Sequence, residues 1–118
     1  MRYADLLVWQ KAMDLVVEIY RLCELLPTAE RYGLISQMQR AAVSIPSNIA
    51  EGHARKSTGA FQNHLSIAAG SLAELETQLH LVQRLGFCSA NICQPALANT
   101  DEIGRMLTGL KVSLAAKN

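Results

Sequence analysis

The side chains that could support catalysis or metal binding are few and widely spaced in this sequence. The three histidines, His53, His64 and His80, have no paired metal-ligand spacing, and no cysteine or carboxylate joins them in a recognisable ligand set. A ferritin-like di-iron site needs Glu-x-x-His pairs on two helices, and the sequence contains none. The phosphate-binding Gly-x-x-x-x-Gly-Lys loop and the Gly-x-Ser-x-Gly nucleophile elbow are also missing. These patterns give no basis for catalysis, for a metal site or for a cofactor.

The cysteines, Cys23, Cys88 and Cys93, are odd in number and lack the Cys-x-x-Cys spacing. Without neighbouring histidine ligands, Cys88 and Cys93 do not predict a zinc site. The N-terminus has no signal-peptide pattern, so we expect all three to be reduced thiols. Cys23 is expected to pack as a small hydrophobic side chain.

A row of polar side chains is more specific. Its members recur at steps of 4, 4, 3, 4 and 4 residues: Ser36, Arg40, Ser44, Ser47, Glu51 and Arg55. This spacing places them on one face of a helix. A solvated face with weak ion pairs between residues four apart explains much of the row. A hydrogen-bonding surface for a neighbouring subunit or for a phosphate backbone is the functional alternative, and both interpretations remain open from the residues.

The hydrophobic spacing that must position these residues is helical in four segments. We expect α-helices over about residues 5–26, 30–52, 57–86 and 92–115. Pro27 ends the first helix, Thr28 can cap the second, and Gly52 fits the position just after its end. Short connections make consecutive helices antiparallel neighbours. The sequence therefore predicts an all-α, up-down-up-down four-helix bundle, with residues 1–118 as a single domain.

The first predicted helix carries more apolar surface than a small bundle can bury. One stripe, at steps of 3, 4, 3, 4 and 3, contains Leu6, Trp9, Met13, Val16, Tyr20 and Cys23. A second stripe beside it contains Ala12, Leu15, Ile19, Leu22 and Leu26. Together they cover more than half of the circumference, whereas packing within a bundle needs an apolar face of about 100°. We therefore expect another subunit to cover the surplus.

The composition is that of a globular protein with weak overall charge. The chain has 118 residues, of which 50% are hydrophobic and 18% charged, which is too apolar for a disordered chain. The net charge of +1 excludes a strongly basic nucleic-acid binder, although not a local basic patch. No stretch approaches the ~18 apolar residues of a membrane span. We expect a cytoplasmic protein with no membrane partner.

Two strings in the sequence are specific enough to indicate a family. The first is Arg40–Gly52, with the sequence RAAVSIPSNIAEG, and the second is Gly70–Leu79, with the sequence GSLAELETQL. These strings resemble the bacterial four-helix-bundle family encoded in intervening sequences of 23S ribosomal RNA genes. The resemblance extends to Trp9 and Ala12 in the first helix and covers about residues 3–110.

The resemblance implies a ring-shaped homo-oligomer, a pentamer of four-helix bundles, which agrees with the surplus apolar surface. The same family includes the accessory variability protein of diversity-generating retroelements, which joins a reverse transcriptase and binds nucleic acid. The candidate nucleic-acid-binding residues of this chain are Arg40, Arg55 and Lys56. The candidate oligomer or helix-packing residues are Trp9, Ala12, Leu15, Ile19, Arg40, Ser44, Glu51, Gly70 and Glu74.

We interpret the chain as a non-enzymatic, homo-oligomeric scaffold that engages a protein or RNA partner. The alternative is a weak RNA-binding module that acts with ribosomal RNA or a reverse transcriptase. In that alternative Arg55 and Lys56 are repeated once per subunit around the ring. The two hypotheses differ in their salt response, because RNA affinity falls steeply as salt rises. An enzyme of unknown type is a remote third hypothesis, and no cofactor is expected.

Overall fold

The structure, a computed structural model, describes residues 1–116. Four α-helices make up most of this range. They are α1 (Leu7–Cys23), α2 (Ser36–Ala54), α3 (Thr58–Arg84) and α4 (Ala90–Ala116), and this range contains no β-strand. Each helix contacts the next and α4 contacts α1, so the helices occupy the four corners of a bundle in chain order. The bundle measures 47 × 23 × 20 Å. The predicted all-α fold with four helices is confirmed.

Helix α1 is shorter at both ends than predicted. It begins at Leu7 instead of residue 5, because Leu6 has extended backbone angles (φ −74°, ψ 125°) after a 3₁₀ turn, Tyr3–Asp5. It ends at Cys23 instead of residue 26. The next three backbone N–H groups bond to the carbonyl three residues earlier, which tightens the chain into a turn before Pro27.

Helix α2 begins at Ser36, six residues later than predicted. A 3₁₀ turn, Thr28–Glu30, and a π-helical turn, Arg31–Ile35, precede it, and Gly33 leaves the helical region there (φ −107°, ψ −109°). The prediction that Thr28 caps the helix was wrong. Oε1 of Glu30 instead accepts a hydrogen bond from the backbone N–H of Leu34 at 3.4 Å.

Gly52 was expected to lie just after the end of α2, and this prediction was also wrong. The helix continues to Ala54, and Gly52 is buried against α3. A Cβ atom at this position would lie only 2.6 Å from Cβ of His64 and 3.1 Å from Cδ1 of Phe61. Glycine is therefore needed here for the close approach of two helices, and its place at the end of the matched string does not mark a helix end.

The ends of α3 follow the predicted signals. Oγ of Ser57 accepts a hydrogen bond from the N–H of Ala60 at 3.1 Å, which caps the N-terminus. Gly86 adopts a positive φ of 76° just beyond the C-terminus, a conformation that favours glycine. Helix α4 begins two residues earlier than predicted, at Ala90, where Oγ of Ser89 accepts from the N–H of Ile92 at 3.3 Å.

The core lies between the four helices and is almost entirely aliphatic. Its largest fully buried side chains include Leu15, Ile19, Met38, Ile45, Ile49, Leu65, Leu75, Leu79, Ile103 and Leu107. The second stripe of α1 supplies that helix's share of this core. Over residues 1–116, none of the helices combines the length and apolar character that a membrane crossing requires.

Candidate functional site

The polar row predicted on the second helix divides in the structure, because part of it faces α3. Oγ of Ser44 lies 2.8 Å from Oγ of Ser71 on α3. Nδ2 of Asn48 donates to Oγ of Ser44 at 3.0 Å and to the Ser44 backbone oxygen at 2.8 Å. Oδ1 of Asn48 lies 3.0 Å from Nδ1 of His64. These four half-buried residues form a hydrogen-bonded chain between α2 and α3, called the seam network below.

The direction of each bond in the seam network follows from its donors. Because Nδ2 of Asn48 donates to Ser44, Oδ1 of Asn48 must accept, and Nδ1 of His64 therefore carries a proton. Oγ of Ser44 accepts from Asn48, so its own hydrogen can be donated to Ser71.

Sequence reasoning singled out Ser44 but missed its three partners. Ser44 and Asn48 are four residues apart, a spacing that brings side chains together on one helix. Both lie in the first matched string, and Ser71 lies in the second. The two strings thus meet across the α2–α3 contact, and that contact is the signal that a single helix pattern could not supply.

Most of the first apolar stripe of α1 lies outside the core, although its last residue, Cys23, is buried. Its neighbours in the second stripe, Ala12, Leu15 and Ile19, are fully buried at 0% exposure. Met13 and Tyr20 of the first stripe in contrast keep 42% and 44% of their surface exposed, and Val17, which belongs to neither stripe, keeps 48%. The candidate packing residues Ala12, Leu15 and Ile19 therefore contact their own chain, and the surplus apolar surface lies outside the core.

Two grooves between α1 and α2 adjoin this surface, and the first of them is mainly apolar. The first has a volume of about 370 Å³, and its lining includes Trp9, Met13, Val16, Val43 and Pro46. The second has a volume of about 460 Å³ and shares Val43 with the first. Its other lining residues are Tyr20 and the polar Ser36, Gln39, Arg40 and Ser44. The exposed Met13, Val17, Tyr20 and Val43, together with the half-buried Trp9 and Val16, are called the α1/α2 strip below.

The three candidate cations do not form one patch. Arg40 is exposed at the edge of the second groove and takes part in none of the ion pairs found within residues 1–116. Arg55 bonds Oε1 of Glu51 at 3.2 Å, with both side chains more than half exposed. Arg55 follows Arg40 by fifteen residues, a distance of about 22 Å along a helix. Only Arg55 and Lys56, both exposed, lie together at the α2–α3 connection.

Gly70 and Glu74 are exposed on α3. No heavy atom lies within 4 Å of a Cβ built on Gly70. Oε2 of Glu74 accepts from Nε2 of the buried Gln78 at 3.5 Å, and no ion pair in the described range includes Glu74. A bare patch of helix and an exposed carboxylate thus lie one turn apart.

The three thiols are free, as expected, and all three are buried, whereas the sequence predicted burial for Cys23 alone. Burial, with a smaller effect of the neighbouring Cys88, raises the pKa of Cys23 to about 11. Burial also raises the pKa of Cys93, again with Cys88 contributing. A protonated thiol is a poor nucleophile and a poor metal ligand at neutral pH. Within residues 1–116 no group of three or more His, Cys, Asp or Glu side chains could hold a metal ion.

Comparison with known proteins adds a family and a fold relative. The sequence model of the family described as 23S rRNA-intervening sequence protein matches residues 4–109, a range that includes both matched strings. A crystal structure from Bacteroides thetaiotaomicron superposes with a TM-score of 0.83 at 25% sequence identity, covering 89% of this chain and 98% of that chain. That structure is described as a protein with unknown function from the S23 ribosomal protein family. The comparison with curated proteins gives no significant match.

Proposed function

The chain belongs to the 23S rRNA-intervening sequence protein family, as its two strings indicated, and we propose that it is a non-enzymatic scaffold whose copies assemble through the α1/α2 strip. In this proposal the helices have the up-down-up-down topology and the copies close into a ring, a homopentamer by family resemblance. The ring engages a protein or RNA partner.

The continuity of the α1/α2 strip is the observation that carries the proposal. Met13, Val17 and Tyr20 follow one another along α1, and Val43 of α2 shares one groove with Met13 and another with Tyr20, each of the four being 40–48% exposed. Contiguous apolar patches of this kind mark interaction surfaces, whereas apolar side chains that are exposed singly need no explanation. Burial of the strip is favoured by about 25 cal/mol for each Å² of apolar surface removed from water.

The polar groups support a structural role more than a chemical one. The polar side chains near the first string that could take part in a reaction are Ser44, Asn48 and His64. They are hydrogen-bonded to one another across the α2–α3 contact. The thiols of Cys23 and Cys93 are held in their protonated form by burial. We therefore propose that the protein acts through its surfaces.

The mass of the protein in solution tests the proposal. Light scattering at micromolar concentration should give a mass of several chains for the wild type. The double variant Met13→Glu/Val17→Glu should give one chain and keep its helical circular dichroism, because both side chains are exposed and charge opposes their burial. Val112→Glu on α4 is the matched control, since Val112 is 64% exposed and lies outside the strip. A monomeric wild type, or an unchanged mass for the double variant, would contradict the proposal.

A weak RNA-binding module is the second candidate, and the adjacent exposed side chains of Arg55 and Lys56 support it. The ion pair with Glu51 offsets the charge of Arg55, so a single copy is expected to bind weakly. An RNA titration at low and physiological salt should show steeply salt-dependent binding that Arg55→Ala/Lys56→Ala removes. Equal affinities of the two proteins at low salt would exclude this connection, and no binding by either would leave the protein scaffold.

A further inference from the structure

We infer that the α1/α2 strip of one copy docks on the α2/α3 face of the next copy, with Arg40 of the first beside Glu74 of the second. The α2/α3 face consists of the exposed residues Ile67, Gly70 and Glu74 on α3, which lie before and after Ser71, and of Glu51 on α2. The inference rests on the proposed self-association and adds the surface that receives the strip. The interface is therefore heterologous, since two different faces meet.

The seam network allows positions on α2 and α3 to be compared along the bundle axis. The bond between Ser44 and Ser71 places these residues at one level. Contacts then run in reverse order along the two helices, because Asn48, later in α2, bonds His64, earlier in α3. Arg40 precedes Ser44 by four residues and so lies level with position 75 of α3, four residues after Ser71. Glu74 is the residue next to this position.

The strip can be placed on the same scale. Met13 lines a groove together with Pro46, which follows Ser44 by two residues. Pro46 is therefore level with position 69 of α3, two residues before Ser71, and Gly70 is the residue next to this position. A rotation about an axis parallel to the bundle keeps every residue at its level. Such a rotation lets Met13 meet Gly70 and Arg40 meet Glu74 in one and the same contact.

The two surfaces also match in shape and charge. A built Cβ on Gly70 has no heavy atom within 4 Å, and Ile67, one turn away, is 44% exposed, so α3 offers here an exposed apolar side chain next to a position that has none. A methionine side chain is flexible enough to pack there. Arg40 and Glu74, neither of them in an ion pair within residues 1–116, carry opposite charges. A guanidinium and a carboxylate form strong, charge-assisted hydrogen bonds.

The arrangement of the helices favours this pair of faces over two alternatives. The α1/α2 and α2/α3 sides are adjacent sides of a four-cornered bundle, so their outward directions differ by about a right angle. When copies are joined through adjacent sides, each copy is rotated relative to the one before it, so after a few copies the last one meets the first and the ring closes. The α3/α4 side, with a groove of about 480 Å³, is opposite the strip and would extend the assembly without closing it. Strip-to-strip pairing would stop at two copies.

Two variants that each block one face test the inference. Gly70→Gln adds a side chain to the α2/α3 face, and its matched control is Gly109→Gln, another exposed helical glycine with no atom within 4 Å of a built Cβ. Met13→Glu/Val17→Glu blocks the strip. Both face-blocked proteins should be monomers by light scattering, with unchanged circular dichroism. Mixed in equal amounts, they should form a one-to-one pair, because the mixture retains one intact strip and one intact α2/α3 face. The Gly109→Gln control should keep the wild-type mass.

The outcomes separate the inference from the proposal on which it rests. If Met13→Glu/Val17→Glu is monomeric while Gly70→Gln keeps the wild-type mass, the strip is an interface but its receiving surface lies elsewhere, and the inference is overturned. A mixture of two monomeric variants that fails to pair overturns it as well. If Met13→Glu/Val17→Glu keeps the wild-type mass, the proposed function itself fails.

Discussion

The two edges of helix α2 differ in whether their side chains find contact partners within the same chain. On the edge toward α3, Ser44, Asn48 and Gly52 have hydrogen-bond partners or close contacts within the chain. On the edge toward α1, Val43 and Pro46 line an apolar groove that remains open. One string, Arg40–Gly52, supplies both edges. Substitutions on the α3 edge should therefore change stability, and those on the α1 edge should change the assembled mass.

The largest loss of stability is expected at Gly52. A methyl group there would lie 2.6 Å from Cβ of His64, so Gly52→Ala must push α2 and α3 apart. Overpacking of this kind costs about 1–3 kcal/mol of unfolding free energy. The control Gly109→Ala should raise that free energy by up to ~1 kcal/mol, because alanine favours a helix and nothing obstructs it. Urea denaturation measures both, and a Gly52→Ala protein as stable as the wild type would show that the close contact has no energetic importance.

A smaller loss is expected at Asn48. Asn48→Ala removes two donor hydrogen bonds to Ser44 and leaves the proton on Nδ1 of His64 without an acceptor. Leaving a half-buried donor unsatisfied costs about 1–2 kcal/mol. Thr77→Ala is the control, because its hydroxyl donates to the backbone oxygen of Ala73 in an exposed position. The importance of the seam network would be refuted if Asn48→Ala were no more destabilising than Thr77→Ala.

On the other edge, Arg40→Ala should alter the mass and leave the stability of the single chain within about 0.5 kcal/mol of its starting value. The guanidinium is exposed and belongs to none of the ion pairs in the described part of the chain. Stability is best compared in the Met13→Glu/Val17→Glu background, where assembly does not contribute. Arg55→Ala, which breaks only the exposed pair with Glu51, should keep the wild-type mass. If Arg40→Ala kept that mass as well, Arg40 would have no part in assembly.

The helices and their buried stripes could be predicted because helical periodicity is a local property of the sequence. The partner of Ser44 could not, because Ser71 is 27 residues away and only the packing of two helices brings them together. Gly52 was misread for the same reason: the atoms that require a glycine there belong to α3. The late start of α2 depends on the backbone of Gly33, which hydrophobic spacing does not report. The surplus surface of α1 was visible because it is a property of one helix.

An effect confined to high pH is expected at Cys23, on the buried side of α1. Its folded pKa of about 11 exceeds the ordinary value of 9.0. The unfolded chain therefore releases this proton first as pH rises, so the stability that the neutral thiol contributes is present below pH 9 and is lost between about pH 9 and 11. Unfolding free energies across this range should fall more steeply for the wild type than for Cys23→Ala. Equal slopes would mean that the thiol is not held neutral by the core.

Quenching of tryptophan fluorescence tests the role of the α1/α2 strip most directly. Trp9 is the only tryptophan of the chain, lines the strip's first groove half-buried, and packs edge-on against Tyr3 with ring centroids 5.4 Å apart. Acrylamide quenching should be followed during dilution, with the mass measured on the same samples. Quenching should be weak in the assembled wild type, increase as the mass falls, and be strong at all concentrations in Met13→Glu/Val17→Glu. Equal quenching of assembled protein and monomer would show that the copies associate through another surface.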